Sequence, residues 1–335
     1  MAGGAADPLV VVLGASGFIG SAVVAEFAGR PVRLRLVGRR LAPPPDAAAV
    51  SEVRAVDLSA PGTVARAVTD ADVVIHLVAR IDSGVAWRAA EEDPTAARVN
   101  VDLTHRLIAA LAAAHRPPGA PPPVVVFAGS ASQAGLAGRL RGDEPDCPNT
   151  VYARQKLAAE LALKEATARG TVHGVSLRLP TVYGVSPGPF GSGVVAAMVQ
   201  RALAGQPLTV WRGGAGERDL LHVRDAARAF VAAVEHAREL SGRHWLVGTG
   251  RPVVVADLFR AVARAAAART GRPPVPVLEV DPPASATAAD ALGMSVDSSA
   301  FRSITGWRPR VPLGRALDEL VAAVSERRES EPRSS

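Results

Sequence analysis

VVVLGASGFIGSAVV, residues 10–24, carries a β-branched run through a glycine turn into a helical pattern. Gly14, Gly17 and Gly20 give the spacing GxxGxxG. Without side chains, these positions permit a tight turn, close backbone approach to a pyrophosphate and close helix–strand contact. The helix start then offers free N–H groups to an anion. A glycine triplet alone is weak, so its meaning comes from its surroundings. Ser16, Phe18 and Ile19 share the turn with the glycines and join them as candidate anion- and cofactor-binding residues.

Working outward, β-branched runs at 9–14, 32–38, 51–58, 71–79, 123–130 and 173–180 alternate with Ala-rich amphipathic stretches at 19–29, 61–70, 95–115 and 151–169. Strand and helix repeated in this way predict an α/β fold, a doubly wound parallel sheet with helices on both faces. The proline-rich segment 115–125 cannot be helical and is expected to cross the surface before the fifth strand. Beyond residue 180 the alternation weakens. Gly/Pro-rich loops, GVSPGPFGSG (184–193) and WRGGAGERD (211–219), surround helical patterns near 194–204, 223–239 and 254–270. The expected organisation is a flexible N-terminus over 1–8 and a dinucleotide-binding domain over 9–180, to which 222–250 returns. A smaller C-terminal α/β substrate lobe takes 181–221 and 251–325, and a charged, Ser-rich tail over 326–335 is expected to be disordered.

The 335 residues are 48% hydrophobic, mostly Ala, Val and Leu, which suits helices packed on a buried sheet. A net charge of +6 permits nucleic-acid binding, but the basic residues are scattered among acids and only 4% of residues are aromatic. No nucleic-acid partner is therefore expected. A single cysteine, Cys147, excludes an intramolecular disulfide and any cysteine-built metal cluster. The seven histidines have no HExxH or other tight ligand spacing, so no metal is expected. MAGGAADP lacks a basic leader, and the apolar stretch after it is broken by three glycines. The reading is a soluble, cytoplasmic protein with no membrane partner.

The second strand ends in LVGRR (36–40). A dinucleotide fold that binds NAD usually has an acid there to accept a hydrogen bond from the ribose 2′-hydroxyl. Gly38, Arg39 and Arg40 occupy this place. Guanidinium groups cannot accept that bond, but they clamp a 2′-phosphate, so NADP(H) is the expected cofactor. Asp57, in AVDL (55–58) beside Leu58, is a candidate acceptor for the adenine amino group. Leu77 and Ala79, in IHLVA (75–79), are expected to line the groove, and His76 is read as structural.

Tyr152 and Lys156, in VYARQKLAAE (151–160), are i and i+4 and project from one helix face. A phenol near pKa ~10 is a poor acid–base group at neutral pH, and a nearby ammonium is expected to lower it. A lysine amine also reaches ribose hydroxyls in ways a rigid guanidinium does not. Of 38 basic side chains only Lys156 and Lys164 are lysines, which makes the survival of Lys156 suggestive; Lys164 is read as a surface residue. Ser130 stands at the carboxyl end of the fifth strand in VVVFAGSASQAG (124–135), where open α/β sheets hold their ligands. Its hydroxyl can orient a substrate carbonyl while Tyr152 donates the proton, and Ser132 is a nearby competitor.

Together with RLPTVYG (178–184) and RDLLHVRDAARAF (218–230), these motifs resemble the extended short-chain dehydrogenase/reductases, the NAD-dependent epimerase/dehydratase family that acts on nucleotide sugars. The resemblance runs in consistent order from about residue 9 to 320. It implies a Rossmann-type doubly wound domain with a small sugar-nucleotide lobe, Ser130, Tyr152 and Lys156 as the catalytic triad, and Pro180 and Thr181 along the nicotinamide and substrate. Ser132 would also touch substrate, Arg218 would meet the sugar-nucleotide diphosphate, and a homodimer would form through helices near 100–114 and 153–169. The family's 4,6-dehydratases carry Thr-Asp-Glu where this chain has Ser130, Ala131 and Ser132, so dehydration has no evident catalyst. Details such as TVYARQKLAAE, SLRLPTVYG, ERDLLHV and TGWRPRVPL look like the actinobacterial dTDP-4-keto-6-deoxyhexose 4-ketoreductases of antibiotic deoxysugar pathways. The resemblance implies NADPH-dependent reduction of a dTDP-4-keto-6-deoxysugar. A nucleotide-sugar epimerase of the same fold and a non-catalytic NADP-binding protein are its rivals.

Overall fold

A computed structural model describes residues 7–41, 50–80, 94–135, 138–186, 193–212, 216–282 and 293–330. Strand β1 (Leu9–Leu13), LVVVL, is buried along its whole length. A strand covered on both faces reads as a continuous apolar run, because neither side needs polar residues. It pairs in parallel with β2 (Arg33–Gly38) and with β4 (Val73–His76). The full parallel sheet also contains β3 (Val50–Ala55), β5 (Val124–Ser130), β7 (His173–Leu179) and β12 (His244–Leu246), in the order β3-β2-β1-β4-β5-β7-β12. The chain reverses its direction of growth between β1 and β4. Their carboxyl ends therefore flank the crevice in which such sheets hold ligands.

Two helical layers cover the sheet. Helices α1 (Phe18–Glu26) and α7 (Val223–Glu235) bury Val23, Val24, Ala226 and Phe230 against one face. On the other, α2 (Thr63–Val68), α4 (Leu103–Ala113) and α5 (Val151–Ala168) bury Val64, Leu107, Leu111 and Leu163. The single helix expected over 95–115 is interrupted. A short α3 (Pro94–Ala97) leads into a π turn, Arg98–Asp102, before α4. The wider turn brings Asn100 inward, where it is 2% exposed and bonds both backbone groups of Arg80.

After residue 180 the strands are short. β8 (Thr181–Tyr183) pairs with β11 (Leu220–His222). β6 (Gly138–Leu140), β10 (Glu217–Arg218), β13 (Val253–Val254) and β15 (Met294–Val296) form a second sheet, and β9 (Leu208–Trp211) pairs with β14 (Val277–Val280). α8 (Ala237–Leu240) follows α7, and β12 then joins the main sheet beside β7. A third core gathers α6 (Val194–Leu203), α9 (Val255–Thr270) and α11 (Leu313–Ser330). The remaining helix, α10 (Ser299–Thr305), sends Phe301 against Trp307 under the main sheet.

At both chain ends the described residues are held in place. Pro8 is already tied down, its carbonyl accepting from Arg33 N at 3.0 Å. Residues 326–330 continue α11, whose Leu317, Leu320, Val321 and Val324 form a buried stripe at helical spacing. Residues 1–6 and 331–335 lie outside the described residues. Among the described residues no helix is long and apolar enough to cross a membrane.

Candidate active site

The glycine turn follows β1 directly. Gly14 N and Ala15 N donate to Val37 O at 2.8 and 3.1 Å, fastening the turn to the end of β2. Gly14 has φ +90°, a conformation side chains resist, and a Cβ there would meet the backbone of Leu77 and Val78 at 3.3 Å. A Cβ on Gly20 would lie 2.0 Å from Gly14 O, so α1 runs hard against the turn. No side chain caps α1 at Gly17, which leaves its first N–H groups for an anion.

A cavity of about 500 Å³ opens above this turn. It collects the predicted residues Gly14, Ser16, Gly17, Arg39, Arg40, Asp57, Leu58, Leu77 and Ala79 on one lining. Phe18 and Ile19 do not line it; they pack half-buried against the core. Arg80 and Arg106, which the motifs did not single out, join Arg39 and Arg40 on the same lining. Asp57 Oδ1 accepts from both Ser59 Oγ (2.7 Å) and Ser59 N (2.8 Å). Those bonds, with smaller help from Arg39 and Arg106, hold its carboxyl below the usual range. A cradle that only glycine fits, an uncapped helix start and a cationic far end suit a nicotinamide dinucleotide.

Thr150 starts α5, its hydroxyl accepting from Ala153 N at 3.1 Å. Tyr152 and Lys156 therefore occupy successive turns of one face. Lys156 is 1% exposed, and its Nζ lies 4.6 Å from the Phe127 ring centroid and 5.9 Å from that of Tyr152. Burial pulls the amine down to about 7. Burial also pushes the Tyr152 phenol above its ordinary value, so the lowering expected from the lysine is absent in the free chain. Desolvation alone sets the direction of that shift, and the amine, itself lowered by burial, does not reverse it. His76, 1% exposed, is held to about 3 by burial and by the charge of Lys156. It is thus neutral, with Nε2 3.2 Å from Thr104 Oγ1, in keeping with a structural role.

Ser130 ends β5 opposite Leu179. Its Oγ lies 2.7 Å from Ser132 Oγ and accepts from Ser132 N at 3.3 Å, so the two serines form one hydroxyl pair. Behind them is a buried network absent from the sequence reading. Glu160, 0% exposed, accepts from Arg178 Nε (3.0 Å) and Nη2 (2.7 Å), Gln133 Nε2 (2.9 Å), Ser176 Oγ (2.7 Å) and Lys164 Nζ (2.7 Å). Lys164, read as a surface residue, is thus corrected: its Nζ also meets His244 Nδ1 at 2.9 Å. The signal lay in the sequence, since Glu160 follows Lys156 by four residues and shares its helix face.

Pro180 follows β7 directly, and Thr181 opens β8 in register with Leu220. Arg218 lies two residues before that partner, half-buried on β10, with Nη1 donating to Glu217 O at 3.0 Å. Asp219 anchors this strand, accepting from Thr249 N, Gly250 N and Val296 N at 2.9 to 3.0 Å. None of Ser130, Ser132, Tyr152, Lys156, Pro180, Thr181 and Arg218 lines the cavity above the glycine turn. Lys156 connects to it through Phe127 and His76, which precedes Leu77.

Residues 10–248 match the model of the NAD dependent epimerase/dehydratase family. Over 331 residues the chain is 30% identical to a dTDP-6-deoxy-L-talose 4-dehydrogenase (NAD(P)(+)) of Kitasatospora kifunensis, covering 94% of this chain and 95% of that protein. It is 30% identical to a UDP-glucose 4-epimerase of Mycolicibacterium smegmatis, with 75% of each chain covered. Among solved structures, MoeE5 in complex with UDP-glucuronic acid and NAD is 28% identical, with a TM-score of 0.78 over 96% of this chain and 99% of that one. The glycine turn at the switch point, the Tyr152/Lys156 helix face and a family match over more than half of the sequence agree, and the chain belongs to the NAD dependent epimerase/dehydratase family.

Proposed function

We propose that this chain is an NADPH-dependent C4-ketoreductase that converts a dTDP-4-keto-6-deoxyhexose to the 4-hydroxy sugar, in deoxysugar biosynthesis for a glycosylated natural product. One arrangement carries the reading. Where an NAD enzyme of this fold keeps an acid, Gly38 is followed by Arg39 and Arg40, which share the cavity's lining with Arg80 and Arg106. Such a cationic end suits a 2′-phosphate, and a cofactor of that kind serves as an expendable reductant. Kinship to a dTDP-6-deoxy-L-talose 4-dehydrogenase along nearly the whole chain supports the substrate class. Ser130-Ala131-Ser132, without an acid, argues against dehydration.

The dihydronicotinamide, when bound, supplies a hydride for C4. Gly14, Gly17 and the start of α1 would hold its pyrophosphate, and Arg39 and Arg40 its 2′-phosphate. Lys156 has no hydrogen-bond partner among the described residues, and its amine is free for the ribose hydroxyls. Ser130 orients the C4 carbonyl. Tyr152 gives the C4 oxygen its proton, and a phenol held high by burial keeps that proton until the oxygen takes it. Pro180 and Thr181 would flank the nicotinamide, and Ser132 and Arg218 the sugar nucleotide.

The reading includes a dinucleotide domain over 9–180 with 222–250, a substrate lobe over 181–221 and 251–325, and a cytoplasmic homodimer through α4 and α5. Leu161, half exposed on α5, supports that surface. The test is incubation of protein and NADPH with a panel of dTDP-4-ketosugars, with product stereochemistry read by NMR. NADPH left intact with every member would sink the reductase. Kinship to a UDP-glucose 4-epimerase favours a second reading, epimerisation, which would turn over sugar without net NADPH consumption.

A further inference from the structure

From Ser130, the last residue of β5, the chain enters a single tight turn over 131–134 that contains Gln133. The turn is capped in both directions. Ser130 Oγ accepts from Ser132 N, and the Gln133 side chain reaches back so that Oε1 accepts from Ser130 N at 2.7 Å. Gln133 is 0% exposed, and its other amide atom, Nε2, donates to Glu160 Oε2 at 2.9 Å. The chemistry fixes this orientation. Glu160 is ringed by donors and only accepts, while Ser130 N only donates, so a flipped amide would face donor to donor and acceptor to acceptor.

Gln133 thus joins three parts of the site. Its side chain holds the amide of Ser130 at the end of β5. Through Glu160 it is tied to the helix that carries Tyr152 and Lys156. Its backbone O accepts from Cys147 N at 3.2 Å, in the segment leading to that helix. The enclosure is tight, because a Cβ on Gly129 would come 2.9 Å from Ser176 Oγ and 3.0 Å from Gln133 Oε1.

We propose that Gln133, braced by Glu160, is a positioning residue for the Ser130 hydroxyl. Ser132 N, and Ser132 Oγ when it donates, fill the acceptor side of Ser130 Oγ, which leaves the Ser130 proton for a substrate carbonyl. The carbonyl's identity rests on the reductase reading; the bracing of Ser130 does not. Gln133 touches neither substrate nor cofactor in this role and acts through Ser130 alone.

Gln133→Leu keeps the volume and removes both hydrogen bonds. Hydrogen exchange followed by mass spectrometry should show residues 129–134 exchanging about 10-fold faster, since one buried bond is worth about that factor. With a 4-ketosugar, kcat should fall about 10-fold or more while KM for NADPH stays within about 2-fold. In a Ser130→Ala background, Gln133→Leu should cost less than about 2-fold further, because its effect passes through a hydroxyl that is gone. Ser176→Ala removes another bond to the same Glu160 oxygen without a link to Ser130. It should lower the Tm and leave kcat within about 2-fold. Unchanged exchange at 129–134, or losses that multiply in the double variant, would overturn the proposal. If the unaltered protein reduces no 4-ketosugar, the reductase reading fails while the exchange measurement still decides the role of Gln133.

Discussion

Lys156 Nζ stands 4.6 Å from the centroid of the Phe127 ring, and no carboxylate pairs with it among the described residues. A buried, unpaired amine weakens the fold and is retained for a ligand's sake. In the folded chain it titrates at about 7, against 10.5 when unfolded. Between those values the unfolded chain keeps a proton that the folded chain has released, so the contribution of Lys156 to stability rises with pH from 7 to 10.5 and is level outside that window. Lys156→Met should therefore raise the Tm of the free protein near pH 6, by an amount that shrinks toward pH 10. Each unit of the window is worth about 1.4 kcal/mol. Equal Tm differences at the two pH values would contradict this.

Tyr152→Phe removes one oxygen and leaves the ring in place. Turnover of a 4-ketosugar should fall by about 10² to 10⁴, the range for loss of a positioned acid, with NADPH affinity unchanged in fluorescence titration. Near-normal turnover would remove Tyr152 from that role.

Arg39→Ala and Arg40→Ala test the adenosine end. A charge-assisted bond to a 2′-phosphate is worth about 1.5–3 kcal/mol, so each variant should bind NADPH about 10- to 100-fold more weakly and NADH as before. An unaltered preference for NADPH over NADH would refute the assignment.

Glu160 tests the buried network. Desolvation opposes its charge, but hydrogen bonds from His244 and Arg178 and the charges of Arg178 and Lys164 outweigh that and hold the carboxyl well below 4.5. A carboxylate of this kind contributes stability that is full above its unfolded value and lost as pH falls below it. Glu160→Gln should cost about 3–5 kcal/mol at pH 7, because Arg178 stays buried with only Asp146 for a partner. The deficit should narrow as the urea midpoint is followed down from pH 4.5. A deficit that is constant with pH would show that the carboxylate's charge is not what matters.

The main sheet was legible because parallel strands buried on both faces announce themselves as apolar runs, as LVVVL does. So was the helix carrying Tyr152 and Lys156, since i,i+4 spacing survives any packing. The site's supports were harder to read. Gln133 serves Ser130 through a turn only four residues long, and polar residues after a strand look alike whether buried or solvated. The network around Glu160 draws Arg178 from β7 and His244 from β12, contacts that no local pattern encodes. The π turn at Arg98–Asp102 reads as plain helix because its composition is helical. Residues 326–330 lack apolar positions of their own, and their helix is carried by the buried stripe of Leu320, Val321 and Val324 just before them.

The most direct test of the central claim is absorbance at the reduced-nicotinamide band while the protein meets a dTDP-4-keto-6-deoxyhexose and NADPH. The reductase account predicts that the band decays mole for mole with appearance of the 4-hydroxy sugar, and that Tyr152→Phe slows the decay by about 10² or more. A sugar converted at constant NADPH, or no conversion of any 4-ketosugar, would contradict it.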